Sequence, residues 1–175
     1  GGGQTAWVTT TTASDTAPNA AYSAVAATSG SNELTSAVYA LFPGTSQLSF
    51  RHRCGFETGF DGGVLEIKIG AGAFADVITA GGSFESGGYN ATLGAGNPLG
   101  ARPAWSGTNA SFSTVTVKLP AAAAGQNVQF KWRSATDSSI GGAGWWVDSV
   151  SVNATVCCGI GYAPIITTPP ANTTV

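Results

Sequence analysis

Two carboxylates share one glycine-rich stretch of this chain, Glu57 and Asp61 within Phe56–Gly63. Acids so placed can do two kinds of chemistry. They can work as a general acid and base on a glycosidic bond, with Asp148 as a further partner. Or they can hold Ca2+, which takes about six to eight oxygens from carboxylates, backbone carbonyls and water. The chain has nine acidic residues in all, fewer than a sugar-cleaving cleft and its lining suggest. The cation is therefore the stronger reading. Gly62 and Gly63 give the backbone the freedom to turn carbonyls inward. The plain alternative is a hairpin turn at Asp61-Gly62-Gly63, with Asp148 bonding turn amides or an arginine.

Nucleophilic chemistry needs a base beside a serine or cysteine. The single histidine, His52, alternates in step with Leu48 and Phe50. That spacing puts it on an apolar face, as a core or rim residue. No Gly-x-Ser-x-Gly elbow stands in a strand-to-helix setting, and no His-Glu-x-x-His occurs. We expect no enzyme.

Carbohydrate binding needs aromatic platforms with polar groups beside them. Trp105, Trp145, Trp146 and Tyr89 are the candidates. Trp132 alternates with Lys131 and Arg133 and belongs to a core. In a strand, Trp145 and Trp146 must point to opposite faces. Trp105 follows Pro103 in a long loop. Trp105 and Trp145 are taken as the ligand-binding aromatics, with packing beneath a loop as the competing reading.

Three cysteines complete the inventory: Cys54, Cys157 and Cys158. Neighbours in sequence rarely bridge each other, because a disulfide wants Cα atoms about 5.5 Å apart. Cys54 is therefore expected to pair with Cys157 or Cys158, leaving the other free or bonded to a second chain. Three reduced thiols are the alternative. Zinc is disfavoured by the lone histidine and the lack of a Cys-x-x-Cys pair. Sequons at Asn90, Asn109, Asn153 and Asn172 permit glycosylation without requiring it.

The elements that must position these groups are strands. Leu48, Phe50 and His52 alternate with Ser49, Arg51 and Arg53. The same period-2 pattern runs through Leu65–Ile69, Val115–Leu119 and Val128–Arg133. Each segment has one apolar and one polar face, as in an antiparallel sheet with one side in water. Leu34–Phe42 is apolar on both parities and fits a strand covered on both sides. Gly and Asn clusters at 59–63, 81–90, 94–100 and 141–144 mark turns and long loops. Arg51, Arg53, Glu66, Lys68, Lys131 and Arg133 point outward from three strands and would form cross-strand ion pairs if those strands are neighbours. No segment longer than a turn has a helical period. Ala121–Ala124 is closed off by Pro120 and Gly125.

Composition agrees. Of 175 residues, 43% are hydrophobic and 9% charged, with a formal net charge of -2. Seven basic residues are too few for the footprint that nucleic acid or an anionic membrane requires. The hydrophobic content argues against disorder, and no run reaches the ~18 apolar residues of a spanning helix. The chain has no Met and begins Gly1-Gly2-Gly3. It reads as a mature product or a fragment of something longer.

Three stretches taken together carry a resemblance: Leu48–Arg53, Phe56–Ile67 and Gly144–Val152. Their order resembles the MAM-like, concanavalin A-like jelly-roll modules of bacterial secreted and surface proteins. Such modules accompany metallopeptidases of the immune inhibitor A and fungalysin types, and immunoglobulin-like repeats. Trp7 and Asn32–Ser36 fit the same layout, and Cys54 departs from it. The resemblance implies a fold and an extracellular or cell-surface location, and no catalytic residue. In those modules the loop of the second stretch approaches the Trp-x-Asp strand. This implies that Glu57, Asp61 and Asp148 share a calcium ion, joined by Asp137.

The expected fold is all-β, an antiparallel β-sandwich of jelly-roll type over residues 1–158. Residues 159–175 form an extended Pro/Thr-rich linker or the start of an immunoglobulin-like module. The expected function is a non-catalytic structural or adhesive module of a surface protein or fibre, calcium-stabilised and self-associating through that tail. Its partners would be copies of itself, neighbouring domains, a glycan or a matrix protein. The alternatives are a carbohydrate-binding module or an accessory domain of a secreted metallopeptidase.

Overall fold

The computed structural model describes residues 4–155. Its strands are β1 (Val8–Thr10), β2 (Ala20–Val25), β3 (Gly30–Thr35), β4 (Tyr39–Ala40), β5 (Thr45–Gly55), β6 (Gly62–Ile69) and β7 (Ala75–Asp76). They continue as β8 (Ser83–Ser86), β9 (Ala91–Thr92), β10 (Pro103–Ala104), β11 (Thr108–Lys118), β12 (Asn127–Thr136) and β13 (Gly142–Thr155). Six strands form one sheet in the order β1-β2-β13-β5-β11-β8. A second sheet runs β3-β12-β6-β7, with β4 also on β12, and β9 and β10 make a small ribbon. Every pairing is antiparallel. This is the expected all-β sandwich, with a jelly-roll-like layout. Among the described residues the only helical piece is a 3-10 turn at Ala121–Ala123.

The alternating segments are the strands that enclose the core. Leu48, Phe50, His52 and Cys54 of β5 face inward with Val115 and Val117 of β11. Leu65 and Ile67 of β6 and Val128, Phe130 and Trp132 of β12 meet them from the other sheet. Phe50 and Trp132 touch edge to face across the sandwich, centroids 5.5 Å apart.

Four expectations change. Leu34–Phe42 is not one strand covered on both sides: β3 ends at Thr35, β4 is two residues, and Val38 and Phe42 are exposed. These residues lie along the outer edge of β12, where Leu34, Tyr39 and Leu41 pack on the core and the described residues leave Val38 and Phe42 uncovered. The glycine-rich stretch 81–90 contains β8, which completes the edge of the larger sheet on β11. Arg51 and Arg53 stand on the larger sheet, whereas Glu66, Lys68, Lys131 and Arg133 stand on the smaller one. Finally, the outer face of β6 is not wholly solvated. Val64 is sealed by Leu93 and Ala104 from the ribbon side, a second small core.

Cys157 and Cys158 lie outside the described residues, as does the tail 159–175. Cys54 is buried, and its thiol donates to the Gly107 carbonyl at 3.7 Å. Burial pushes its thiol up from the ordinary range, the state of an unreactive cysteine.

Candidate functional site

The turn between β5 and β6 folds because Phe60 and Asp61 donate their amides to the Glu57 carbonyl, at 3.2 and 2.9 Å. Gly59 takes a positive φ of 78° there. Ser106, after β10, clamps the turn: its hydroxyl donates to the Asp61 carbonyl at 2.6 Å and accepts the Gly59 amide at 2.9 Å. Asn97 adds a third loop, donating to the Phe60 carbonyl at 2.7 Å. Because β12 lies beside β6, with Ala135 opposite Gly62, the chain leaving β12 carries Asp137 to the same place.

Three carboxylates therefore converge. Glu57, Asp61 and Asp137 each offer an oxygen, all within 4.8 Å of one another. Asp61 is 0% exposed. Its Oδ1 accepts the Asp137 amide at 2.9 Å, and its Oδ2 is buried with no hydrogen-bond partner among the described residues. Ser139 lies between the other two, donating its amide to Asp137 at 2.9 Å with its hydroxyl 3.2 Å from Glu57 Oε2. A buried carboxylate oxygen without a donor is costly. A cation at the cluster removes that cost, and the all-oxygen donor set suits a hard divalent ion.

Asp148 does not join them. Its Oδ2 accepts the amides of Asp15 and Thr16, at 2.8 and 2.9 Å, and its Oδ1 accepts the Ser149 amide. Opposite it in the register is Arg51, which pairs with Asp15 at 2.9 Å. The carboxylate is spent on holding the loop before β2, the turn-amide role that was the alternative.

The tryptophans are corrected too. Trp145 is 0% exposed and Trp105 3%. Trp145 stands opposite Cys54 on the inward face of β13. It packs at a tilt against Trp7 and Trp105 and donates Nε1–H to His52 Nδ1 at 3.2 Å. Trp105 plugs the side of the sandwich against Phe50, Phe84 and Tyr89, its Nε1–H on the Gly87 carbonyl at 2.8 Å. Both are buried, and Trp105 borders a cavity of about 280 Å3 with His52, Cys54 and Asn109. The outward member of the pair is Trp146, yet Tyr22 and Arg53 pack on its ring, 4.7 and 4.4 Å from its centroid.

The outer face of the smaller sheet holds a feature that aromatic counting missed. A cavity of about 450 Å3 opens between the end of the ribbon and the segment 74–79. Phe74, Ile78 and Pro103 form its apolar wall, and Glu66, Asp76 and Arg102 its polar side. Asp76 is locked by Arg102, by the Tyr89 hydroxyl at 2.7 Å and by the Ile78 amide at 2.9 Å. The sequence signal was an acid at the mid-strand position Glu66 with cations on both sides in the fold, but nothing local points to Arg102.

Two buried groups give a signed pH dependence. Burial first, then the neighbouring Asp137 and Glu57, push Asp61 up to about 6, against the Asp137 amide. Burial pushes His52 down to about 4. Between about pH 4 and 6 the folded chain keeps a proton on Asp61 that the unfolded chain releases, so acidification favours folding. Between about 6.5 and 4 the unfolded chain protonates its histidine and the folded chain does not, so acidification disfavours folding. The two slopes oppose each other. The metal-free protein should change little in Tm between pH 6.5 and 4.5, whereas Asp61→Asn should lose stability steadily on acidification. Melting curves of both across that range check this; parallel profiles would show that Asp61 stays ionised.

No family model matches the sequence, and no curated protein matches it. The fold is similar to a solved structure described as the structural basis for the promiscuous specificity of carbohydrate-binding modules from the β-sandwich superfamily. The match has a TM-score of 0.50 at 10% identity and covers 84% of this chain and 52% of that chain. This chain thus spans about half the length of that structure. The likeness supports the β-sandwich class and not the particular module that the three motifs resemble.

Proposed function

We propose that this chain is a non-catalytic, extracellular carbohydrate-binding module with a calcium ion fastening one end of its sandwich. The observation that carries the reading is the architecture, an antiparallel sandwich of the kind found in a carbohydrate-binding module. The described residues supply no machinery for bond cleavage. The histidine is sealed in the core. Each of the three acids has an oxygen within 4.8 Å of the others, converging on one point as cation ligands do. The unpartnered, buried Asp61 oxygen supports the calcium part of the reading. An extracellular setting suits it, since modules there bind calcium at about 10⁻⁴–10⁻³ M.

Two experiments test this. The protein is applied to a printed glycan array, where retention of a defined glycan class is expected; a blank array overturns the binding reading. Calorimetric titration of chelator-stripped protein with CaCl2, and separately MgCl2, should show one calcium site that Asp61→Asn abolishes. Heat from neither metal overturns the cation.

A further inference from the structure

Glu66 is 7% exposed, yet its carboxylate is poorly satisfied. Its closest cations are Arg102 Nη1 at 3.7 Å and Arg133 Nη1 at 3.8 Å, both beyond hydrogen-bond reach. Among the described residues no donor is hydrogen-bonded to it. The carboxylate lines the 450 Å3 cavity of the smaller sheet, a volume in the range of small-molecule sites. A mid-strand acid would ordinarily be solvated or closed into an ion pair. Here both guanidiniums lie at ion-pair distance but short of hydrogen bonding, and the carboxylate opens to the cavity.

The surrounding charges balance. Glu33 takes Lys131 at 2.9 Å and Arg133 at 3.4 Å, and Asp76 takes Arg102. The lining itself has two acids, Glu66 and Asp76, against one base, Arg102, a balance that disfavours an anionic ring. It presents an acceptor, Glu66, close to guanidinium donors, beneath a wall of Phe74, Ile78 and Pro103. Neighbouring hydroxyls on a ring suit that arrangement: one donates to the carboxylate, the next accepts from a guanidinium, and the C–H face lies on the wall. A ring bearing its own carboxylate would meet Glu66 with like charge.

We propose that this cavity is the glycan subsite and takes a neutral sugar ring through adjacent hydroxyls, with Glu66 as the recognising acceptor. The inference rests on the carbohydrate-binding reading and adds the site and the sugar class. The array for the test carries neutral gluco-, manno-, galacto- and xylo-oligosaccharides beside uronate- and sialic acid-containing ones. The strongest neutral glycan is then titrated into wild type, Glu66→Gln and Ile78→Ala. Glu66→Gln should weaken binding by more than about tenfold, and Ile78→Ala by several-fold. Ile78 is exposed and its side chain has no polar partner, so its variant carries the test if Glu66→Gln fails to fold. Amide shifts on titrating wild type should cluster at Glu66, 74–79 and Arg102. Unaltered affinity in both variants overturns the subsite and leaves carbohydrate binding to another face. Preference for the acidic glycans overturns the sugar class. A blank array removes both the subsite and the reading beneath it.

Discussion

Replacing Trp145 with alanine is expected to destabilise the fold by about 3–5 kcal/mol, the usual cost of emptying a buried tryptophan's place in a core. Trp145 sits inside the aromatic cluster with no exposed surface. Its ring lies 5.5 Å from Trp7, 5.9 Å from Phe56 and 5.9 Å from Trp105, centroid to centroid. Its loss also leaves His52 Nδ1 without its donor inside the core. The same spot resists filling. A Cβ on Gly63 would lie 2.5 Å from the Trp145 ring, so Gly63→Ala should destabilise as well, by about 1–3 kcal/mol. Urea denaturation of both variants measures this. A wild-type midpoint for Trp145→Ala would mean that the indole is not packed between the sheets. If Trp145 were instead a ligand platform, the variant would keep its stability and lose binding.

Calcium should raise the melting temperature of the chelator-stripped protein by about 5–10 °C when present at about 100-fold its Kd. The linkage is worth about 2.7 kcal/mol at that excess, and a domain of this size gains about 2–4 °C per kcal/mol. The gain would come from two loops held by one ion: Glu57 and Asp61 in the turn after β5, and Asp137 after β12. It should vanish below about pH 5, where the raised Asp61 is protonated. Asp148→Asn should leave the calcium effect intact, because that carboxylate is occupied by the amides of Asp15 and Thr16. Scanning calorimetry with and without EDTA at pH 7 and pH 4.5 reads all of this. An unchanged Tm at pH 7 would sink the cation, and an Asp148 variant that lost the effect would return that residue to the ligand set.

Much of the scaffold was legible. Period-2 alternation identified the inward residues Leu48, Phe50, His52, Leu65, Ile67, Val115, Val117, Val128, Phe130 and Trp132, all buried. It did so because a strand's side chains alternate whatever its partner is. The pairing of Glu57 with Asp61 was legible for a similar reason: one short turn connects them. Short polar loops gave weaker signals. β8 hid among glycines, and the stretch after Leu34 looked apolar enough to be buried when only part of it was.

What alternation cannot supply is register and neighbourhood. Trp145 and Trp146 had to face opposite ways, but only the pairing of Trp145 with Cys54 decided which one enters the core. Trp105 read as a loop residue open to a ligand. Its backbone bridge to Gly63 draws it under the sheet edge instead. The resemblance put Asp148 on the cation with Glu57 and Asp61 and added Asp137 as a further ligand; Asp137 follows β12 and Asp148 lies within β13. β12 runs beside β6 in the smaller sheet and ends near the acidic turn, whereas Asp148 lies opposite Arg51, well along β5 from that turn. Glu66 looked like one solvated charge among six, until the ribbon residues from 91 to 104 folded across the neighbouring Val64 and brought Arg102 to it. The sequence by itself determined the strands, their inward faces and the acidic turn, because those depend on spacing within a few residues. The tertiary structure alone decided which acids meet, which tryptophan is sealed and where a cavity remains, because those depend on which distant strands lie side by side.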